Sequence, residues 1–258
     1  MIEDGSDVLD RASLAVGRRQ FMKIGLVGAF SLLVPFAVRA AERAPYKRED
    51  YTWGFIVDTT KCMGCGSCVR ACKAENSVPD GYHRTWVERY TVLANGRVEV
   101  DSPRGALDGF PEDPAHPKKD VAKSFFVPKL CNQCATAPCV QVCPVGASYA
   151  APDGVTLVDR KRCIGCGYCV QACPYGVRFI HPQNGYADKC TLCYHRITKG
   201  LPTACSQACP VGARSAGNLK DATSRIRALL NSSRYGVLKP ALGTNPKCYY
   251  IGLDKEVV

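Results

Sequence analysis

The chain has 258 residues, 17 cysteines and a formal net charge of +11. This cysteine content is far above what a chain of this size uses for packing, which excludes ordinary core cysteines as its main explanation. Disulfides, structural zinc and iron–sulfur clusters remain as candidates, and the spacing of the cysteines has to decide between them.

Residues 1–40 have the pattern of an export signal. Arg18 and Arg19 are followed by Phe21, Lys23 and an apolar run from Ile24 to Val38. The pattern resembles a twin-arginine signal, a route that exports proteins already folded around a cofactor. A run of about fifteen residues is short for a membrane span. We expect cleavage after residue 40, with an uncleaved anchor as the alternative, and a periplasmic mature chain with no membrane span of its own.

Sixteen cysteines fall into four local groups, two of which are near-copies. The groups are Cys62, Cys65, Cys68, Cys72; Cys131, Cys134, Cys139, Cys143; Cys163, Cys166, Cys169, Cys173; and Cys190, Cys193, Cys205, Cys209. Residues 62–72 match residues 163–173 at eight of eleven positions. Apolar stretches at 55–57 and 155–158 precede the two copies and predict strands. Such repetition indicates duplication of a small module.

The segments between and after the groups carry weaker signals. Residues 85–100 alternate around Asn95 and Gly96 and predict a hairpin. Residues 101–120 are rich in proline and predict an exposed loop. Asp221 is a candidate N-cap for a short helix with an apolar side formed by Ile226, Leu229 and Leu230. Residues 235–258 show little regular pattern, and we expect a tail that lies on the surface.

The spacing C-x2-C-x2-C favours cubic [4Fe–4S] clusters. A tight loop of this kind presents three thiolates to one face of a cube, and glycines beside the cysteines leave room for it; these are Gly64, Gly66, Gly165 and Gly167. The fourth cysteine, expected at the start of a helix, binds the other cluster of a pair, as in two-cluster ferredoxins. Zinc prefers two separated cysteine pairs and remains an alternative, chiefly for the last group. Disulfides remain the alternative for an exported chain. Cys248 is left over as a lone thiol.

The basic charge has an explanation in cluster chemistry. Removal of residues 1–40 takes away five basic and four acidic groups and leaves +10. Four clusters of about −2 each would bring the loaded protein to about +2. Many basic residues lie beside the cysteines in sequence, and we expect them to compensate the cluster charge; they are Lys61, Arg70, Lys73, Arg160, Lys161, Arg162 and Lys189. A solvated basic face is the alternative.

With these motifs, the chain resembles the four-cluster iron–sulfur subunits of the dimethyl sulfoxide reductase group. The match runs from about Tyr51 to Leu253 and is closest to the exported branch, which includes the iron–sulfur subunits of polysulfide reductase, tetrathionate reductase and the formate-dependent nitrite reductase system, and DsrO-like proteins. Besides the cysteines it rests on residues 172–175, 178–181, 187–190, 238–240 and 243–244.

The resemblance implies an α+β fold of two ferredoxin-like modules, with an inserted hairpin and loop and a C-terminal extension. The implied boundaries are 51–76 with 186–216 for the first module, 77–125 for the insertion, 126–185 for the second module and 217–258 for a C-terminal helix and tail. The insertion and the tail are the segments expected to contact partners.

The resemblance also implies the ligands of four [4Fe–4S] clusters arranged in a line. The sets are Cys62, Cys65, Cys68, Cys209; Cys72, Cys190, Cys193, Cys205; Cys131, Cys134, Cys139, Cys173; and Cys143, Cys163, Cys166, Cys169. Family members pass electrons between an integral membrane subunit that handles quinone and a partner that is either a molybdopterin catalytic subunit or a multihaem cytochrome. No dinucleotide, phosphate-loop or hydrolase motif is present, so we expect no catalytic site and no nucleic-acid partner. Self-contained redox catalysis at a cluster is the alternative.

Overall fold

The computed structural model describes residues 45–111 and 120–257. The expected signal segment lies outside these residues. The strands are β1 Trp53–Asp58, β2 Thr85–Leu93, β3 Val98–Asp101, β4 Val121–Leu130, β5 Ser148–Ala150, β6 Thr156–Val158, β7 Phe179–Ile180, β8 Ala187–Asp188, β9 Arg214–Asn218, β10 Tyr235–Gly236 and β11 Cys248–Ile251. The helices are α1 Ser67–Asn76, α2 Pro138–Gln141, α3 Tyr168–Gln171, α4 Tyr194–Ile197, α5 Ala204–Gln207 and α6 Arg225–Ser232. No helix of the described part is long and apolar enough to cross a membrane.

A four-stranded sheet in the order β10-β11-β1-β9 forms the centre of the core. All six residues of β1 are buried, as expected for a strand that packs on both faces. It pairs antiparallel with β9 and parallel with β11. The strand expected at residues 55–57 is therefore confirmed, and so is the one at 155–158, which forms β6.

The prediction that residues 235–258 form a tail on the surface is wrong for β11. Residues 248–251 pair with residues 55–58 of β1, and the side chains of Cys248 and Tyr250 are fully buried. Tyr250 also donates a hydrogen bond to the Pro128 carbonyl at 3.2 Å. The run is too short for its apolar alternation to predict a strand, since the strand depends on pairing with a partner almost 200 residues away in sequence.

A second sheet has the order β3-β2-β4. Strands β2 and β3 form an antiparallel hairpin around residues 94–97, and β4 pairs along the other edge of β2. The hairpin lies where the sequence predicts it. Strand β4 ends at Leu130, directly before the first cysteine of the second group, so this sheet positions Cys131.

The described part of the 101–120 segment is not the exposed loop that its prolines predict. Residues Pro103–Ala106 form a short 3-10 helix, and Gly105 and Ala106 are buried. Arg70 of α1 donates a hydrogen bond to the Leu107 carbonyl at 2.6 Å. This turn therefore packs against the loop that carries the first cysteine group.

Two details of the helices also differ from expectation. Cys72 lies in the middle of α1, while the fourth cysteines of the other groups follow one-turn helices instead of starting helices. The C-terminal helix α6 is present, and Ile226 on its apolar side is buried, but its N-cap is Ser224, whose side chain accepts from the Arg227 amide. Asp221 instead accepts from Thr223 in the preceding turn.

Candidate iron–sulfur sites

None of the seventeen cysteines is in a disulfide. Sixteen of them gather into four sets that combine cysteines distant in sequence. We call these sets site 1 (Cys62, Cys65, Cys68, Cys209), site 2 (Cys72, Cys190, Cys193, Cys205), site 3 (Cys131, Cys134, Cys139, Cys173) and site 4 (Cys143, Cys163, Cys166, Cys169). The first group in sequence thus lies beside the fourth, and the second beside the third. Cys248 belongs to none of the sets.

The cysteines of sites 2 and 4 each line one pocket. Site 2 brings together Cys72 of the first group with Cys190, Cys193 and Cys205 of the fourth. Site 4 brings together Cys143 of the second group with Cys163, Cys166 and Cys169 of the third. Each pocket thus places the thiols of two distant cysteine groups around one space.

Site 1 is assembled by the loop before α1, by Cys68 in the first turn of α1 and by Cys209 after α5. Burial is the main cause that raises the pKa of Cys62 to about 11, and the neighbouring thiols of Cys68 and Cys209 contribute to this increase. Without metal, a thiol of this kind stays protonated at neutral pH. Binding of iron would displace the proton, so cluster assembly is coupled to deprotonation. The Ala213 amide donates to the Cys209 sulfur at 3.2 Å.

Site 3 is the most enclosed set after site 2. Burial raises the pKa of Cys134 to about 11, although a hydrogen bond from Thr244 opposes this shift. The neighbouring thiols add to the increase; they belong to Cys131, Cys139 and Cys173. The contact with Thr244 comes from the C-terminal segment, so that segment helps to build the site.

Backbone and side-chain amides point at several sulfurs of sites 2 and 4. Asn76 places its side-chain amide 3.7 Å from the Cys72 sulfur and 3.8 Å from the Cys193 sulfur. In site 4 the amide of Ser148 donates to Cys143 at 3.4 Å. Burial raises the pKa of Cys143, but hydrogen bonds from successive backbone amides outweigh it and lower the pKa below its usual value. Such N–H donors stabilise negative charge on sulfur.

The four sites follow one another in a line. Cys68 of site 1 neighbours Cys205 of site 2. Cys190 of site 2 neighbours Cys131 of site 3. Sites 3 and 4 meet at the Arg178 guanidinium, which lies beside cysteines of both. The order along the line is therefore site 1, site 2, site 3, site 4.

The solvent exposure of the cysteines changes from site 1 to site 4. All four cysteines of site 2 and three of the four in site 3 are buried, whereas site 1 and site 4 have one buried cysteine each. Cys166 of site 4 is exposed. Two apolar side chains in the same loop are also exposed, Ile164 by 65% and Tyr168 by 58%. The line is thus insulated in the middle and accessible at both ends.

The cations next to the sites are only partly those expected, since Arg70 lies beside Cys65 of site 1 and Lys189 beside Cys139 of site 3. Of the seven basic residues that lie beside the cysteines in sequence, only Lys189 is buried. The other buried cations near the cysteines are Arg84, Arg178, Arg214 and Lys247, which sequence proximity did not identify as compensating charges. Arg178 and Arg214 share a readable signal, because each stands five residues after the cysteine of a Cys-Pro pair in the pattern C-P-x-G-x-R.

These arginines test whether the sites fit an anionic group. Arg178 is 4% exposed, and none of its three guanidinium nitrogens has an oxygen or nitrogen partner among the described residues, its neighbours being thiols such as that of Cys169. Arg214 is 3% exposed; one of its nitrogens donates to Thr85 at 2.9 Å and another has no such partner. A buried unpaired cation is costly. Anionic iron–sulfur clusters held by the adjacent cysteines would supply the missing negative charge, so the residues present fit the clusters.

One buried ion pair joins the ends of β2 and β8 beside site 2. The Arg84 guanidinium donates to both carboxylate oxygens of Asp188, at 2.9 Å and 2.7 Å. Arg84 also lines the site 2 cavity and holds the Asn76 side chain at 2.9 Å. The pair therefore positions the amide that reaches the sulfurs of Cys72 and Cys193.

Comparison with protein families identifies the cofactor. The family described as "4Fe-4S dicluster domain" matches residues 61–147, and a second family of the same description matches residues 122–219. Two dicluster domains and sixteen grouped cysteines support four [4Fe–4S] clusters, as the spacing predicts. The first match joins groups that are consecutive in sequence, whereas the folded chain places the fourth group beside the first.

Three relatives cover most of the chain. A tetrathionate reductase subunit of Salmonella typhimurium is 40% identical over 93% of this chain and 90% of its own length. A tetrathionate reductase subunit of Archaeoglobus fulgidus is 46% identical over 77% of this chain and 81% of its own length. The protein NrfC of Escherichia coli is 41% identical over 77% of this chain and 80% of its own length. With sixteen cysteines in four sets and relatives of this similarity, the chain belongs to the iron–sulfur subunit family of the dimethyl sulfoxide reductase group.

Proposed function

We propose that the chain is a periplasmic electron-transfer subunit that relays electrons through four [4Fe–4S] clusters and has no catalytic site of its own. The cysteines of sites 1 to 4 are the ligands, each set holding one cluster. The two ferredoxin-like modules are sites 1 and 2, built from residues 51–76 and 186–216, and sites 3 and 4, built from residues 126–185. The clusters supply one-electron redox chemistry.

The observation that carries the proposal is the change in exposure along the line. Buried sites 2 and 3 exclude water from the middle of the path and keep electrons from leaving it there. Cys65 of site 1 and Cys166 of site 4 are the accessible points at which partners can approach. A protein that only stored or sensed electrons would not need four adjacent sites with a buried middle and two accessible ends, whereas a relay does.

The family context suggests the partners. The relatives carry names of respiratory reductase subunits, including tetrathionate reductase, thiosulfate reductase and arsenate respiratory reductase. The proposed partners of this chain are an integral membrane subunit that handles quinone, at one end of the row of sites, and a molybdopterin subunit or a multihaem cytochrome, at the other end. Of the insertion and the tail, we prefer residues 77–125 as the region that contacts a partner subunit. The tail is less suitable because its strand β11 already pairs with β1 in the central sheet.

The test uses the native complex in membranes isolated without oxygen. Addition of a quinol should reduce the clusters, as seen by electron paramagnetic resonance, and one oxidant from a panel of tetrathionate, thiosulfate, dimethyl sulfoxide, nitrite and arsenate should reoxidise them. Purified subunit without membranes is the control and should not respond to quinol. Clusters that stay oxidised in the membranes, or that respond equally in the purified subunit, would contradict the relay.

A further inference from the structure

Arg178 and Arg214 have the same place in sequence relative to a cluster ligand. Each follows its cysteine by five residues, in Cys173-Pro-Tyr-Gly-Val-Arg178 and Cys209-Pro-Val-Gly-Ala-Arg214. A third copy of the turn ends in Ser148, which is buried and carries no charge. The Cys-Pro turn therefore directs the residue at its end into the interior, and in two of three copies that residue is a cation.

Each arginine lies between two neighbouring sites. Arg178 is close to the thiols of Cys139 and Cys131 in site 3 and to that of Cys169 in site 4. Arg214 is close to the thiols of Cys68 and Cys62 in site 1 and to that of Cys205 in site 2. Each two-site module thus contains one arginine that both of its sites share.

Structural hydrogen bonding does not account for these two cations. The buried Lys189, by contrast, donates to the carbonyls of Thr156 and Cys190 and so has a role in holding the backbone. Among the described residues, Arg178 donates to no backbone carbonyl. One guanidinium nitrogen of Arg214 donates a hydrogen bond to Thr85, and another has no oxygen or nitrogen partner there. The groups that interact with these guanidinium groups are thiols of the sites, including Cys169 for Arg178 and Cys205 for Arg214, so their counter-charge is that of the sites themselves.

We propose that Arg178 and Arg214 are potential-setting residues, each shared by two adjacent clusters, Arg178 by those of sites 3 and 4 and Arg214 by those of sites 1 and 2. This inference rests on the ligand sets of the proposed function. Reduction adds one negative charge to a buried cluster, and a fixed cation close by stabilises the reduced form more than the oxidised form. Each arginine therefore raises the reduction potentials of its own pair and leaves the other pair nearly unchanged.

The test is a redox titration of the holoprotein, followed by electron paramagnetic resonance, with iron per chain as a separate readout. Arg178→Met and Arg214→Met remove the charge, and Arg178→Lys and Arg214→Lys keep it. Lys161→Gln is the matched control, because Lys161 lies close to Cys163 in sequence but is exposed. Iron in the wild-type protein tests the proposed function separately, since iron-free wild-type protein would refute the clusters themselves.

With full iron, each Met variant should shift one subset of reduction steps to lower potential, and the two subsets should differ. A tenfold weaker equilibrium for reduction is a shift of about 59 mV for one electron. The Lys variants should shift less, and Lys161→Gln should not shift. Unchanged potentials in the Met variants, the same steps shifted in both, or an equal shift in Lys161→Gln would overturn the proposal. If the Met variants lose iron, the Lys variants decide: retained iron supports a role for charge, and lost iron overturns it.

Discussion

Gly66 and Gly167 provide a matched pair for testing how the first cluster loop is held. Both glycines start the helix of a near-identical cysteine loop, with φ angles of +71° and +78°. A Cβ at Gly66 would overlap the carbonyl oxygen of Ala106, whereas a Cβ at Gly167 would meet no atom within 4 Å. We predict that Gly66→Ala destabilises site 1 and that Gly167→Ala has a much smaller effect on site 4.

The magnitude follows from the two costs. Both variants place an L-residue in the left-handed region, which costs about 1–2 kcal/mol. Gly66→Ala adds overpacking against a backbone atom that cannot rotate away, about 1–3 kcal/mol more. The added cost corresponds to a roughly 5- to 150-fold weaker hold on the cluster.

The assay is iron per chain after anaerobic purification, together with the rate at which visible absorbance is lost in excess chelator. Gly66→Ala should lose about a quarter of its iron, that of site 1, faster than Gly167→Ala loses the iron of site 4, by the factor above. Gly167→Ala bears only the backbone cost, so its rate should lie between those of the wild type and Gly66→Ala. Equal rates in the two variants would refute the role assigned to the 103–107 turn.

Three further variants test the core. Tyr250→Ala should lower the free energy of unfolding by about 3–5 kcal/mol, as for other large buried aromatics. The anaerobic thermal midpoint should fall by roughly 2–4 °C per kcal/mol. Tyr235→Ala, at a side chain that is 48% exposed, is the control, and an equal shift in both variants would place β11 outside the core. Asp188→Asn leaves the buried charge of Arg84 unpaired and should cost about 3–5 kcal/mol; an unchanged midpoint would contradict this. Cys248→Ala should keep all its iron, and a loss of four irons would show that this thiol is a ligand.

The cysteine chemistry could be predicted from sequence because cluster ligation is local. Three cysteines within seven residues leave few geometric alternatives, so the loops at Cys62 and Cys163 identify the cofactor. The pairing of the first group with the fourth came from family resemblance and not from spacing, because nothing in either group specifies which distant cysteine completes its set. In the fold, this pairing depends on β9 returning to β1.

The tail and the compensating charges show where sequence reasoning fails. Strand β11 is four residues long and gains its burial from a parallel partner far away in sequence, so its local pattern carries little information. The charge expectation holds for Arg70 and Lys189, which lie beside cluster cysteines. It does not extend to Lys61 and Arg162, which are near cysteines in sequence but are exposed to solvent. Burial beside a cluster depends on the turn that carries the residue, and the Cys-Pro turns before Arg178 and Arg214 are what produce it.

Iron and acid-labile sulfide per chain, measured on anaerobically purified protein, test the central claim most directly. The account predicts brown protein with about sixteen irons and about sixteen sulfides per chain and with several overlapping signals on reduction. Colourless protein with stoichiometric zinc, or with the cysteines joined in disulfides, would contradict it.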